Sequence, residues 1–177
     1  ISTPKRIFDE AAVSAALKDV LDGLTDPAEI QAAAVAVLQD AQKNGRAEIA
    51  RAFAASPFNA RPMTSAYCYL TDQLVRTTLQ IAGQRLHPIE TLGPNDRLAV
   101  IGVGGYGRGE MAPYSDVDLL FLIPQTPSQR TENLIESMLY MLWDLKLKVG
   151  HSTRTIRDCV TLGREDFTIQ TALLEHR

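Results

Sequence analysis

Two aspartates at the start of an apolar run are the residues best suited to do chemistry. Asp116 and Asp118 precede or enter the run Val117 to Ile123, which predicts a short buried strand. Side chains two residues apart in a strand point to the same face. Neighbouring carboxylates repel unless a cation joins them, and Mg²⁺ takes one or two carboxylates while phosphate and water oxygens complete its shell. The pair therefore predicts a divalent-metal site.

A glycine-rich segment lies just before the aspartates. It follows a predicted strand, Leu98 to Val103, and contains Gly102, Gly104, Gly105, Gly107 and Gly109. Glycine offers no side chain to pack and loses the most backbone entropy on folding, so this density indicates close approach of the backbone to another group. Backbone N–H groups in such turns bind phosphate. Together, the glycine-rich turn and the two aspartates predict a site that binds a nucleoside triphosphate and its metal ion.

The glycine pattern fits two other phosphate-binding motifs, the Rossmann fingerprint and the Walker loop, less well. Gly102 to Gly107 matches GxGxxG, but a Rossmann unit needs a crossover of at least about 10–12 residues before its next strand. The interval from Gly109 to Asp116 is too short and contains Pro113. The Rossmann acid also follows the second strand and does not open it. No Gly-Lys-Ser/Thr follows the glycines, so a Walker loop is disfavoured as well.

Composition narrows the class of protein. The 177 residues are 45% hydrophobic and 22% charged, with a net charge of -3, which is typical of a soluble globular protein. An acidic balance argues against a general nucleic-acid binder, and no apolar segment approaches the roughly 18 residues of a membrane span. Cys68 and Cys159 lack metal-ligand spacing and are expected to be reduced thiols of a cytoplasmic protein.

Residues 1–92 are predicted to form a helical N-terminal extension. Phe8 to Leu24 has helical periodicity and a stop at Gly23. Asp26, Pro27 and Glu29 open a second helix, which is expected to end at Asn44-Gly45, with a shorter piece continuing to Ala54. Turn residues predict a break from Ser56 to Pro62, before a long amphipathic helix from Met63 to Leu86.

Residues 93–177 alternate between strands and helices and are predicted to form the catalytic core. Beyond the two strands already named, a helix is expected from Ser128 to Trp143, a third strand from Leu145 to Thr155, and short helices after it. The expected fold class is α/β (α+β), with a small mixed sheet. Because the chain opens on Ile1 and closes in a helical pattern, it is expected to be a fragment of a longer protein.

The spacing of the glycines and aspartates resembles a known signature. Val103-Gly104-Gly105, ten intervening residues, and then Asp116-Val117-Asp118-Leu119 resemble the DNA polymerase β-like nucleotidyltransferases. The wider pattern resembles the bifunctional uridylyltransferase/uridylyl-removing enzymes of the bacterial nitrogen regulatory protein PII, and it is carried by Gly104–Glu110, Pro113–Leu120, Leu142–Asp144 and Val149–Thr155. Ala172 departs from this family, where Asn is expected.

This resemblance implies a polymerase β-like core that transfers UMP from UTP to a tyrosine hydroxyl of PII and releases pyrophosphate. Asp116 and Asp118 would be catalytic and hold Mg²⁺. Gly104, Gly105, Arg108 and Ser115 would bind the nucleotide, although from the residues alone Arg108 could equally be a solvated charge and Ser115 a cap. The hydrolytic activity and glutamine as effector are expected only in the full-length protein. Neither nucleic acid nor a membrane is expected as a partner.

Two alternatives to uridylyl transfer stay open. One is adenylyl or other nucleotidyl transfer to a different protein or a small molecule, and the other is a non-enzymatic, nucleotide-binding regulatory module.

The predicted third strand lacks the acid that polymerase β-like enzymes commonly place there. Asp144 and Asp158 only flank it, and Glu175 lies further on. His151 within it is expected to be structural. Because Mg²⁺ requires six ligands, phosphate oxygens must supply much of the shell.

Overall fold

The computed structural model describes residues 2–58 and 60–177. Its α-helices are α1 (Pro4–Ile7), α2 (Glu10–Leu21), α3 (Pro27–Ala54), α4 (Ala60–Ile81), α5 (Gly104–Gly107), α6 (Gln129–Asp144), α7 (Ile156–Glu165) and α8 (Phe167–Leu174). Its strands are β1 (Ala99–Gly102), β2 (Val117–Ile123) and β3 (Val149–Thr155), and short turns of π- and 3₁₀-helix cover Ala82–Leu86 and Pro94–Asp96. The predicted class, helices with a small mixed sheet, is confirmed.

The sheet places β2 at its centre, with β1 antiparallel on one side and β3 parallel on the other. The antiparallel β1–β2 pair needs no crossover, so this is not a Rossmann unit. Strand β2 has the predicted bounds. Strand β3 starts at Val149 and not at Leu145, because Leu145 and Lys146 close the end of α6 by donating to backbone carbonyls of its last turn.

The predicted end of a helix at Asn44-Gly45 is wrong, since α3 continues to Ala54. Gly45 is buried within α3, and a Cβ there would lie 2.6 Å from the carbonyl oxygen of Ile7 and 2.8 Å from Leu70 Cδ1. The glycine thus lets α1 and α4 approach α3 closely. The predicted start of this helix is confirmed, since the Asp26 carboxylate accepts a bond from the Glu29 N–H.

The other boundaries in the helical half lie close to the predicted ones. Helix α2 ends at Leu21, and Gly23 follows with a left-handed φ of +72°. The predicted break after Ala54 is present as a turn, although Asn59 lies outside the described residues. Helix α4 begins at Ala60, three residues early, because Pro62 is tolerated in a first helical turn.

One hydrophobic core runs from the N-terminal helices to the sheet. It includes Leu38 and Leu74 from the helices, Phe121 from β2 and Met138 from α6, all at most 1% exposed. The opposite sheet face, with Ile101 and Leu120, lies beneath α7 and α8, which bury none of their own residues. The division into 1–92 and 93–177 stays a prediction.

None of the helices in 2–58 and 60–177 combines the length and apolar character that crossing a bilayer requires.

Candidate active site

Asp118 sits at the centre of the candidate site, in the middle strand of the sheet. A Cβ on Gly104 would lie 3.1 Å from its Oδ2, and a Cβ on Gly150 would lie 2.6 Å from its Oδ1. Gly150 is its register partner on β3. The carboxylate therefore fills the space between two glycines, one from the turn after β1 and one from β3.

Asp116 lies one residue before β2, exposed at the entrance of the strand. Burial raises the pKa of Asp118 above the ordinary aspartate value, and the negative charge of Asp116 raises it further. Asp118 lies within β2 and Asp116 just before it, so the two residues are neighbours along the chain, and their joint use of one cation stays a prediction. Neither of them forms a salt bridge within the described residues.

The glycine-rich segment folds into the single turn of helix α5. Gly104 adopts φ +61°, a left-handed backbone conformation that residues other than glycine rarely adopt. At Gly107, a Cβ would lie 2.0 Å from the carbonyl oxygen of Glu175. A Cβ at Gly105 would make only ordinary van der Waals contacts, at 3.7 Å or more. Within α5, the geometry therefore requires glycine at positions 104 and 107 but not at 105, and Gly109 after the helix also has a left-handed φ of +74°.

The N–H groups at the start of α5 donate no hydrogen bonds within the helix. The first bond of the turn runs from the Gly107 N–H to the Val103 carbonyl, so the N–H groups of Gly104 and Gly105 precede the hydrogen-bond ladder. The Val103 N–H donates to the carbonyl of Asp118 at 3.0 Å. The turn and the aspartate are thus joined through the backbone.

Arg108 and Ser115 do not line the cavity beside Asp118. Arg108 is exposed and paired with Glu110 at 3.2 Å and with Glu175, and these carboxylates raise the pKa of its guanidinium. Ser115 is half-buried in the loop before β2, where its N–H donates to the Ala112 carbonyl.

Tyr106 braces the turn from inside the protein. The buried Tyr106 hydroxyl donates to Asp72 of α4 at 2.6 Å, and burial raises the pKa of this phenol. Arg177 donates to the same carboxylate and stacks over the Tyr106 ring at 4.9 Å. This network fixes the turn to the N-terminal helices.

A cavity of about 600 Å³ opens beside Asp118. Its near side consists of the turn and the strand ends, including Gly104, Gly150 and His151, and its far side is one face of α8. A separate apolar cavity of about 440 Å³ lies further along the same sheet face, beneath α7 and α8, and holds no carboxylate. The site chemistry therefore belongs to the first cavity.

The donor set suits a hard divalent cation. Asp116 and Asp118 offer only oxygen ligands, which Mg²⁺ prefers, and their mutual repulsion would be relieved by a shared cation. No cluster of three or more His, Cys, Asp or Glu residues with metal-binding geometry occurs in the described part of the chain. Glu175 lines the cavity but pairs with Arg108.

Asp144 and Asp158 are engaged elsewhere, whereas His151 is exposed and lines the cavity. Asp144 accepts from Gln31 at 3.4 Å, and Asp158 caps α7. His151 lies edge-on to Phe121 and Trp143, with ring centroids 6.4 and 6.1 Å away. The structural role expected for His151 stays a prediction.

Two parts of the site escaped the sequence interpretation. Gly150 was not singled out, although a glycine inside a strand is itself a sign of close approach. The α8 face was missed because nothing in the local sequence of Phe167 to Leu174 shows which cavity it faces.

Comparison with known proteins gives consistent similarities. A family model described as glutamate-ammonia ligase adenylyltransferase matches residues 2–142. Proteins named bifunctional uridylyltransferase/uridylyl-removing enzyme are 56% identical in Ruegeria pomeroyi and 51% in Cereibacter sphaeroides, each over 97% of this chain, and 40% in Rhodospirillum rubrum over 100% of it. The chain spans about a fifth of the length of these relatives, 19% in each case.

Proposed function

Because the chain belongs to the nucleotidyltransferase family described as glutamate-ammonia ligase adenylyltransferase, we propose that it transfers UMP from UTP to a protein hydroxyl. The proposed acceptor is a tyrosine of the nitrogen regulatory protein PII. The observation that carries the proposal is the position of Asp118 between Gly104 and Gly150, beside Asp116 and at the wall of a cavity of about 600 Å³. The names of the uridylyltransferase relatives support the choice of UMP.

In the proposed reaction, the tyrosine oxygen forms a bond to the α-phosphorus of UTP. The bond from that phosphorus to the oxygen bridging it to the β-phosphorus breaks, and pyrophosphate leaves with the electron pair. The hydroxyl proton passes to water. Mg²⁺ held at the carboxylates would neutralise triphosphate charge and lower the pKa of the acceptor hydroxyl.

The residues of the chain position the substrate. Asp116 and Asp118 would hold the cation, and the N–H groups of Gly104 and Gly105 would donate to the triphosphate. Arg108 would exchange its contact with Glu175 for a phosphate oxygen, since guanidinium binds phosphate and carboxylate in the same geometry. Ser115 would donate its hydroxyl. The proposal covers the transfer reaction alone.

Labelled nucleotides test the proposal. The chain is incubated with Mg²⁺, PII and either α-labelled UTP or α-labelled ATP, and label on PII is measured. We expect transfer from UTP. Asp118→Asn is the negative control, because its side chain is similar in shape but lacks the charge.

Adenylyl transfer is the second candidate, favoured by the name of the matching family model. Label from ATP, on PII or on glutamate-ammonia ligase, would support it and overturn the first. Nucleotide binding without transfer to either protein would favour the regulatory module.

A further inference from the structure

One face of α8 forms the wall of the cavity opposite Asp118. The residues it contributes are Phe167, Thr168, Thr171 and Ala172, and Glu175 follows directly after the helix. Phe167 and Thr171, like Thr168 and Ala172, are four residues apart and therefore neighbours on the helix surface. The cavity thus has a strand side with the carboxylate and a helix side with an aromatic ring and hydroxyls.

Packing in the hydrophobic core does not explain an aromatic residue at position 167. Its side chain is 81% exposed, although it lines the cavity. An aromatic ring that stays open to a cavity can stack on a planar ligand ring, and such stacking with a nucleobase contributes to binding whatever the base. A triphosphate held by the turn and the carboxylates would leave its base to reach the other wall.

The Thr171 hydroxyl makes a hydrogen bond within α8. It donates to the Phe167 carbonyl at 2.9 Å, and in this arrangement its oxygen can accept, but not donate, a hydrogen bond with a ligand in the cavity that Thr171 lines. Uracil presents an N3–H donor between two carbonyl acceptors. Cytosine and adenine present an unprotonated ring nitrogen at the corresponding position, which would face the Thr171 oxygen lone pair to lone pair.

We propose that α8 is the base-recognition element of this site, with Phe167 stacking on the nucleobase and Thr171 accepting a hydrogen bond from N3–H of uracil. The inference rests on the proposed function, because it names how that same site selects its nucleotide. The stacking contact concerns any nucleobase, whereas the Thr171 contact is specific for a base with an imino N–H.

A tryptophan placed at position 167 tests the stacking contact directly. Phe167→Trp keeps an aromatic ring at the wall, and UTP with Mg²⁺ should quench about half of the added emission. Leu174→Trp is the matched control, because Leu174 lies on the same helix, is 79% exposed and lines the apolar cavity instead. Trp143 contributes the same background to both variants. Equal quenching, or none, in the two variants would overturn the stacking contact.

Binding affinities test the hydrogen bond. Thr171→Val removes the acceptor at nearly constant shape, and Thr171→Ser retains it. We expect the Kd for UTP to rise about 10-fold in Thr171→Val and to stay within about 2-fold in Thr171→Ser, with the preference of UTP over CTP reduced in the former alone. Unchanged Kd values and an unchanged UTP-to-CTP ratio in Thr171→Val would overturn the assignment.

These measurements separate the two proposals, because they need no acceptor protein. If wild-type protein bound ATP better than UTP, uridylyl transfer and the role of Thr171 would both fail, while quenching of Phe167→Trp by ATP would still support the stacking wall. Failure of label transfer together with normal quenching would count against the acceptor and not against α8. Absence of nucleotide binding by the wild type would overturn both.

Discussion

Gly150 and Asp118 are register partners on neighbouring strands, and Oδ1 of Asp118 occupies the place where a Gly150 side chain would begin, 2.6 Å from the ideal Cβ position. The contact joins a residue with no side chain to the half-buried acid at the centre of the site. The orientation of the carboxylate therefore depends on the absence of one methyl group.

Gly150→Ala should lower transfer activity about 100-fold while leaving the fold intact. The added Cβ meets the far end of a flexible side chain, so Asp118 can rotate away, and the backbone need not move. Alanine also reduces the entropy of the unfolded chain. Steady-state transfer and thermal unfolding measure the two effects. Gly83→Ala is the control, because its nearest neighbour lies at an ordinary 3.7 Å. A variant with wild-type activity would argue against any constraint on Asp118.

Asp116→Asn and Asp118→Asn should each reduce transfer at least about 100-fold, the scale seen when an electrostatic group of a catalytic site is removed. Both variants should unfold at the same or a higher urea concentration than wild type near neutral pH, because removing one charge relieves the repulsion between the carboxylates. Transfer at a near-normal rate by either variant would remove that residue from the catalytic set.

The stabilisation by Asp118→Asn should depend on pH in a defined direction. The pKa of Asp118 is raised in the folded state by burial and by Asp116, so between the unfolded value of about 3.9 and the folded value the native protein binds more protons. The contribution of Asp118 to the free energy of unfolding therefore falls as pH rises through that window. The advantage of the variant should be small at pH 3.5 and full at pH 7, measured by urea titration. An advantage that shrinks with rising pH would contradict the burial of this acid.

Mg²⁺ and UTP should strengthen each other's binding by the same factor, which we expect to be 10-fold or more. Two carboxylates supply too few of the six ligands that Mg²⁺ requires, and binding linkage makes the coupling reciprocal. Calorimetric titration of Mg²⁺ with and without UTP, and of UTP with and without Mg²⁺, measures both sides. Tight Mg²⁺ binding without nucleotide would mean that another acid, with Glu175 the nearest candidate in the cavity, completes the site.

Gly45→Ala should destabilise the protein by about 1–3 kcal/mol, the range for overpacking a core. The new methyl group would meet backbone of α1 and the Leu70 side chain, which outweighs the gain in helix propensity of about 1 kcal/mol. Urea unfolding measures the change. Asn44→Ala, at the exposed neighbouring position, should be neutral or slightly stabilising. Equal effects at the two positions would show that the packing can relax.

Much of the site core could be predicted because its signals are local. The apolar run fixed the bounds of β2, and the spacing from the glycines to Asp116 and Asp118 indicated a turn and a carboxylate pair. The same local logic failed at Gly45. A glycine within a helical pattern predicts the end of a helix. Here, however, glycine is required because Ile7 and Leu70, which are distant in sequence, pack against this position.

The α8 wall could not be predicted, since its place depends on the turn at Asp166 between α7 and α8. An eight-residue helix with apolar side chains around much of its surface does not reveal which of them face a cavity. Gly150 could have been found, because glycine weakens a strand unless something approaches it closely.

The backbone of Arg177 exchanges both of its hydrogen bonds with Gly102, at 2.9 Å each. Strand β1 is paired with β2 on one side only, and an unpaired edge is a template on which strands of other molecules can add. Arg177 occupies the outward N–H and C=O of Gly102, while its guanidinium binds Asp72, so the Gly102 end of this edge is not open to an added strand. We expect changes that release Arg177 to expose this end of the edge to strands of other molecules.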